Sequence, residues 1–191
     1  MTVAVPAVIY DANVLYPAPL RDLLIRVAMA GLVRARWTDA IHEEWIRNLL
    51  RNRPDLGAEQ LKRTRQLMDR AVPDCLVIGY EGLIDDLTLP DMDDRHVLAA
   101  AIHARATLIL TLNVRDFPGR ALAPHGVTAR HPDEFLVALF EEDPEALCQV
   151  VRAQRAALSS PRQSVADFLE TLRSVGIQRT VARLEAKANV L

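Results

Sequence analysis

Val8-Ile9-Tyr10-Asp11-Ala12-Asn13-Val14-Leu15 is the stretch on which the fold turns. Ala7 to Tyr10 is a short apolar run broken by Asp-Ala-Asn, the pattern of a buried strand that opens into a loop. Ligands of an open parallel sheet bind beyond the carboxyl ends of its strands, so a carboxylate at Asp11 stands where chemistry is done. Asp is also a common helix or turn cap, and Asn13 two residues on can cap the next turn or hold Asp11 in place.

Beyond this strand, Pro19 sits where a first helical turn tolerates it, and Leu20, Leu23, Leu24 and Val27 recur at helical spacing before Gly31 closes the element. Leu32 to Trp37 reads as a second strand. Thr38 and Asp39 cap a helix with Ile41, Trp45 and Leu49 on one side, ended by Pro54. Glu59 to Ala71 is helical and Leu76 to Ile78 a strand candidate. A helix runs from Asp94 to about Ala104, with Val97, Leu98, Ala101 and Ile102 as its apolar stripe. Leu108 to Leu112 is the clearest strand, Val127 to Ala129 an edge strand, and Asp133 to Glu141 a helix. Strands alternating with helices of this length predict parallel βαβ units in one sheet. After Pro144 the pattern is helical only: Glu145 to Leu158, a Ser159-Ser160-Pro161 break, Val165 to Val175, and Ile177 to about Ala188. The chain is expected to divide into a domain over residues 1–143 and a helical C-terminal extension over 144–191.

With 191 residues, half of them hydrophobic and a quarter charged, the composition is that of an ordinary globular protein. A net charge of −2 excludes a uniformly basic nucleic-acid binder, so any such surface is local. Arg47, Arg51, Arg53, Lys62, Arg63 and Arg65 read as a solvated helix face. Cys75 and Cys148 have neither metal-ligand spacing nor a disulfide framework, which suits a reducing cytosol. Met1 to Pro6 lacks the charge-then-apolar order of a signal peptide, and no membrane association is expected.

Three further acidic stations accompany Asp11: Glu43/Glu44, Asp91 to Asp94, and Asp116. Asp94 falls in the direction of the stripe of its helix, at a first turn where the macrodipole favours an anion. Asp93 points away, and Asp91 is expected to precede the helix as a cap. His96 and His103 lie off the stripe and read as surface histidines. Glu43 and Glu44 cannot be separated by periodicity. Thr111-x-Asn113-x-x-Asp116 follows the strongest strand, where Thr111 can order a water or a carboxylate. Two unit charges about 4 Å apart repel by roughly 4 kcal/mol at an effective dielectric near 20. Carboxylates gathered on one rim therefore need protons or a hard cation, and all-oxygen ligands suit magnesium or manganese.

Asp11-x-Asn13-Val14-Leu15, Thr38-x-x-Ile41-x-x-Glu44, Asp91-x-x-Asp94-Arg95-His96-Val97-Leu98-Ala99-Ala100 and Thr111-x-Asn113-x-x-Asp116-Phe117-Pro118 together resemble the PIN-domain nucleases, including the ribonuclease toxins of bacterial toxin–antitoxin modules. The similarity covers roughly Val8 to Phe140. It implies a three-layer α/β/α sandwich around a central parallel sheet, and a magnesium- or manganese-dependent pocket that cleaves single-stranded RNA. Asp11, Glu44, Asp94 and Asp116 would be the acidic, metal-holding set, with Asn13, Thr111 and Asn113 supporting. The resemblance favours Glu44 over Glu43. Many members carry Asp where this chain has Asn113, a weaker ligand. Arg95 and Arg115 are candidates for holding flanking phosphates. A cognate antitoxin, and a second copy in a homodimer, are the protein partners to expect.

Two rivals remain at this stage. A phosphohydrolase of the haloacid dehalogenase type also places Asp after its first strand, but needs an acid two residues later, where Asn13 stands. A PIN-like module that binds RNA or protein without cutting is the other.

Overall fold

The computed structural model describes residues 5–158 and 161–191; Met1–Ala4 and the Ser159-Ser160 part of the expected break lie outside them. β1 (Ala7–Tyr10) leads through a single helical turn, α1 (Ala12–Leu15), into α2 (Ala18–Met29), with Pro19 in its first turn. Gly31, at φ 74°, reverses the chain into β2 (Arg34–Arg36). There follow α3 (Asp39–Asn52), whose first turn Thr38 caps through Ile41 N, α4 (Ala58–Ala71), a 3-10 segment Glu81–Asp86, and α5 (Arg95–His103). β3 (Leu108–Leu110), α6 (Gly119–Leu122) and β4 (Thr128–Arg130) complete the sheet, and α7 (Pro132–Glu142), α8 (Pro144–Ala157), α9 (Val165–Ser174) and α10 (Gln178–Glu185) close the chain.

All the strand pairs are parallel, in the order β2-β1-β3-β4. The chain leaves β1 towards one edge and returns past it to β3. Crossovers between parallel strands are right-handed in nearly every case, so the α1–α2 connection and the α3–α5 connection fall on opposite faces. α5 accordingly packs on β1 and β3, while α2 packs on β2 and carries α8 outside it. This is the expected α/β sandwich with C-terminal helices added. The reversal of direction also leaves a crevice between the carboxyl ends of β1 and β3, the place where such sheets hold ligands.

Three strands are shorter than expected, among them β3, which ends at Leu110 and not at Leu112. Leu76 to Ile78 is no full strand: Trp37 N donates to Cys75 O at 2.9 Å and Val77 N to Trp37 O at 2.8 Å, one bridge beyond β2. Asp74, at φ 54°, turns the chain just before it, and Leu76 and Ile78 are exposed, so nothing covers a longer ladder. The second strand forms only where Arg34 to Arg36 pair with Ala7 to Ile9. Arg47, Arg51, Arg53, Lys62 and Arg63 are exposed, as a solvated face requires, whereas Arg65 turns back to Asp39 and Asp69.

The extension after Pro144 is packed into the molecule. Leu147, Val151, Phe168, Leu172, Val181 and Leu184 belong to the same buried cluster as Ile9 and Ile109. Gln154 Nε2 donates to Pro19 O at 2.8 Å, joining α8 to the start of α2.

Candidate metal centre

Asp11 continues the ladder past β1, donating its N–H to Leu110 O at 3.0 Å, and so arrives at the crevice with its carboxylate only 2 % exposed. Its Oδ1 accepts from Ala12 N at 2.7 Å; Oδ2 accepts from Thr111 Oγ1 at 2.7 Å and from Asn13 Nδ2 at 2.6 Å. Asn13 Oδ1 in turn accepts from Leu112 N at 2.8 Å, which ties the loop after β1 to the loop after β3. Asp11 is thus both a cap and a pocket residue. Of the roughly four lone-pair positions of a carboxylate, three are engaged, and one is left for a ligand. Burial, joined by the charge of Glu44, pushes its pKa up to about 6, against the hydrogen bonds from Thr111 and Ala12 N.

Asp94 stands immediately before α5 and makes no side-chain cap bond. Its carboxyl is pushed up to about 7, first by burial and then by the charges of Asp11, Asp91, Asp116 and Glu44. Carboxylates contributed by four separate parts of the chain therefore act on one group. Glu44 is half-buried while Glu43 is exposed, so of the two it is Glu44 that faces inward. Asp116 lies on the 3-10 turn Val114–Asp116 and accepts from Asn113 Nδ2. Arg95 donates its Nε to Met92 O at 3.0 Å, and Arg115 is exposed on the turn beside Asp116.

Two residues stand differently from the sequence reading. Asp91 does receive Asp93 N at 2.9 Å, but its carboxylate also joins the cluster: one oxygen each from Asp91, Asp94 and Asp116 lies within 4.8 Å of the others. Residues 91–94 curl in a turn, with Asp94 N on Asp91 O, and the turn, like one turn of helix, sets residues three apart on the same side. His96 is no surface histidine. Its Nε2 lies 3.5 Å from Glu44 Oε2, with 17 % of its side chain exposed. The helical wheel put it off the apolar stripe, and the space beside that stripe at the start of α5 is the pocket. His103 is exposed as expected.

The donor set fits a hard cation. Magnesium–oxygen bonds of about 2.1 Å put ligand oxygens at most about 4.2 Å apart, and the three carboxylate oxygens lie within 4.8 Å of one another. Burial first, and then the neighbouring negative charges, raise the Asp94 pKa.

The fold is a parallel α/β sheet with carboxylates gathered at its switch point. The chain belongs to the PIN-domain family, whose match covers residues 7–115. Residues 132–186 match a second family, described as the VapC50 C-terminal domain. A protein of Mycobacterium tuberculosis named "Putative ribonuclease VapC50" is 37% identical over 94 residues, 49% of this chain and 55% of that protein. The match thus spans about half the length of each. No solved structure matches the chain.

Proposed function

We propose that this protein is a divalent-cation-dependent endoribonuclease acting on single-stranded RNA, the toxin of a toxin–antitoxin pair. The gathering of one oxygen each from Asp91, Asp94 and Asp116 within 4.8 Å of one another, with the charges of Asp11 and Glu44 also acting on Asp94, carries the reading. Family membership and the relative's name support the nuclease and toxin parts. Asp94, Asp116 and Asp91 would hold magnesium or manganese, with Asp11 offering its one free position and Glu44 facing it from α3. Such a cation lowers the pKa of a coordinated water and offsets the charge on a leaving oxygen. The chain's own work is placement. Thr111 and Asn13 lock the Asp11 carboxylate in one orientation, and Asn113 does the same for Asp116. Arg95 and Arg115 flank the rim, where guanidinium groups can take neighbouring phosphates. A cognate antitoxin would silence the enzyme by covering this rim.

Purified Asp11→Asn and Asp94→Asn proteins are each expected to lose manganese-dependent cleavage of single-stranded RNA by about a hundred- to a thousandfold, the scale of losing one electrostatic contact to the transition state. Cleavage at the wild-type rate by either variant removes that carboxylate from the mechanism. A wild-type protein that binds manganese and RNA without cutting would instead establish a binding module.

A further inference from the structure

Granted the cation chemistry proposed above, we infer that His96 is a positioning residue, whose Nε2–H holds the Glu44 carboxylate towards the cation site. His96 is in the first turn of α5, two residues after Asp94, and Glu44 reaches it from α3. Nε2 approaches Glu44 Oε2 at 3.5 Å, and Glu44 keeps 30% of its side chain exposed. A glutamate with that much freedom has outward rotamers available unless something holds it.

The other ring nitrogen fixes the assignment. Nδ1 is buried and has no hydrogen-bond partner among the described residues. A neutral imidazole carries one N–H, and an N–H buried against nothing costs the full desolvation of a donor. The proton therefore belongs on Nε2, where it faces Glu44. A histidine on a solvated helix face would not approach the Glu44 carboxylate. Groups that hydrogen-bond the carboxylate ligands of a metal alter its affinity by about 10- to 100-fold when removed.

The test is a manganese titration of the purified protein, reading free Mn2+ by electron paramagnetic resonance, so that no turnover is needed. His96→Leu is expected to weaken Mn2+ binding by about tenfold. His96→Gln, which keeps an N–H near the same place, is expected to stay within about twofold of wild type. In the double variant His96→Leu/Glu44→Gln the affinity should match that of Glu44→Gln alone, because the histidine acts through the glutamate. Wild-type affinity in His96→Leu overturns the inference, even if the melting temperature drops, since that is what a packing role would give. Fully additive losses in the double variant overturn it as well. Asp94→Asn separates the two levels. If Asp94→Asn loses Mn2+ while His96→Leu does not, only the role of His96 falls. If wild type takes up no Mn2+, or Asp94→Asn binds as wild type does, the cation reading falls and the inference with it.

Discussion

At Asp94, burial and four neighbouring carboxylates push the same way, and the group holds its proton up to about pH 7; Asp11 does so to about pH 6. In the unfolded chain both would release their protons near pH 4. The folded protein thus binds more protons than the unfolded chain between those limits. The stability these groups contribute is complete below about pH 4 and is lost as pH rises through 6 and 7. Without cations, Asp94→Asn should melt at the wild-type temperature near pH 4 and several degrees above it at pH 8. Thermal melts in chelator across that range check this, and a gap that shrinks with rising pH would contradict it. Asp11, Asp94 and Thr111 are legible from sequence because each sits where a regular strand or helix ends, and regular elements have calculable directions. Asp91 and His96 are not. Asp91 precedes the helix, where periodicity assigns no direction, and a wheel that ranks apolar residues cannot tell a side chain facing solvent from one facing a polar pocket.

Among elements, the β1 and β3 strands and the long helices follow from their apolar spacing, whereas the bridge at Leu76 depends on Trp37 across the sheet edge. Asp133 shows a second kind of long-range dependence. From sequence it is the first-turn acid of α7, yet it is buried and accepts from Arg179 N at 3.0 Å, Thr180 N at 2.8 Å and Thr180 Oγ1 at 2.7 Å. It caps α10 from another helix, 46 residues away, while Ile177 at the cap position supplies no side-chain bond. No spacing rule finds a cap supplied at such a distance. Asp133→Ala removes the acceptor of the Arg179 and Thr180 N–H groups, leaves the Thr180 hydroxyl only Asp133 O at 3.2 Å, and is expected to cost about 2–3 kcal/mol. Urea unfolding measures it; a midpoint within error of wild type would mean that α10 is held by its apolar face alone.

For the molecule as a whole, the apolar faces of α8, α9 and α10 lie in the cluster that also contains β1 and β3. The expected division at residue 143 predicts two separable units; a shared core predicts one cooperative transition. The tryptophans provide the means to decide. The chain has two, Trp37 and Trp45, both fully buried. Trp37 Nε1 donates to Asp69 Oδ1 at 2.9 Å, and Trp45 Nε1 to His42 Nδ1 at 3.0 Å, with His42 Nε2 at 2.9 Å from the same Asp69 oxygen. Because an indole only donates, His42 Nδ1 must be bare, and the ring is neutral, in line with a pKa that burial lowers. Both indoles thus report on α3 and its neighbours, while circular dichroism reports on every helix. Fluorescence and circular dichroism melts are expected to coincide, and a later dichroism transition would reveal an independent C-terminal unit. Trp45 is also one residue from Glu44 on the same helix. If cations fill the acidic pocket as proposed, a shift of α3 on filling is expected to show in the emission of Trp45 without a dye, a tag or an added chromophore.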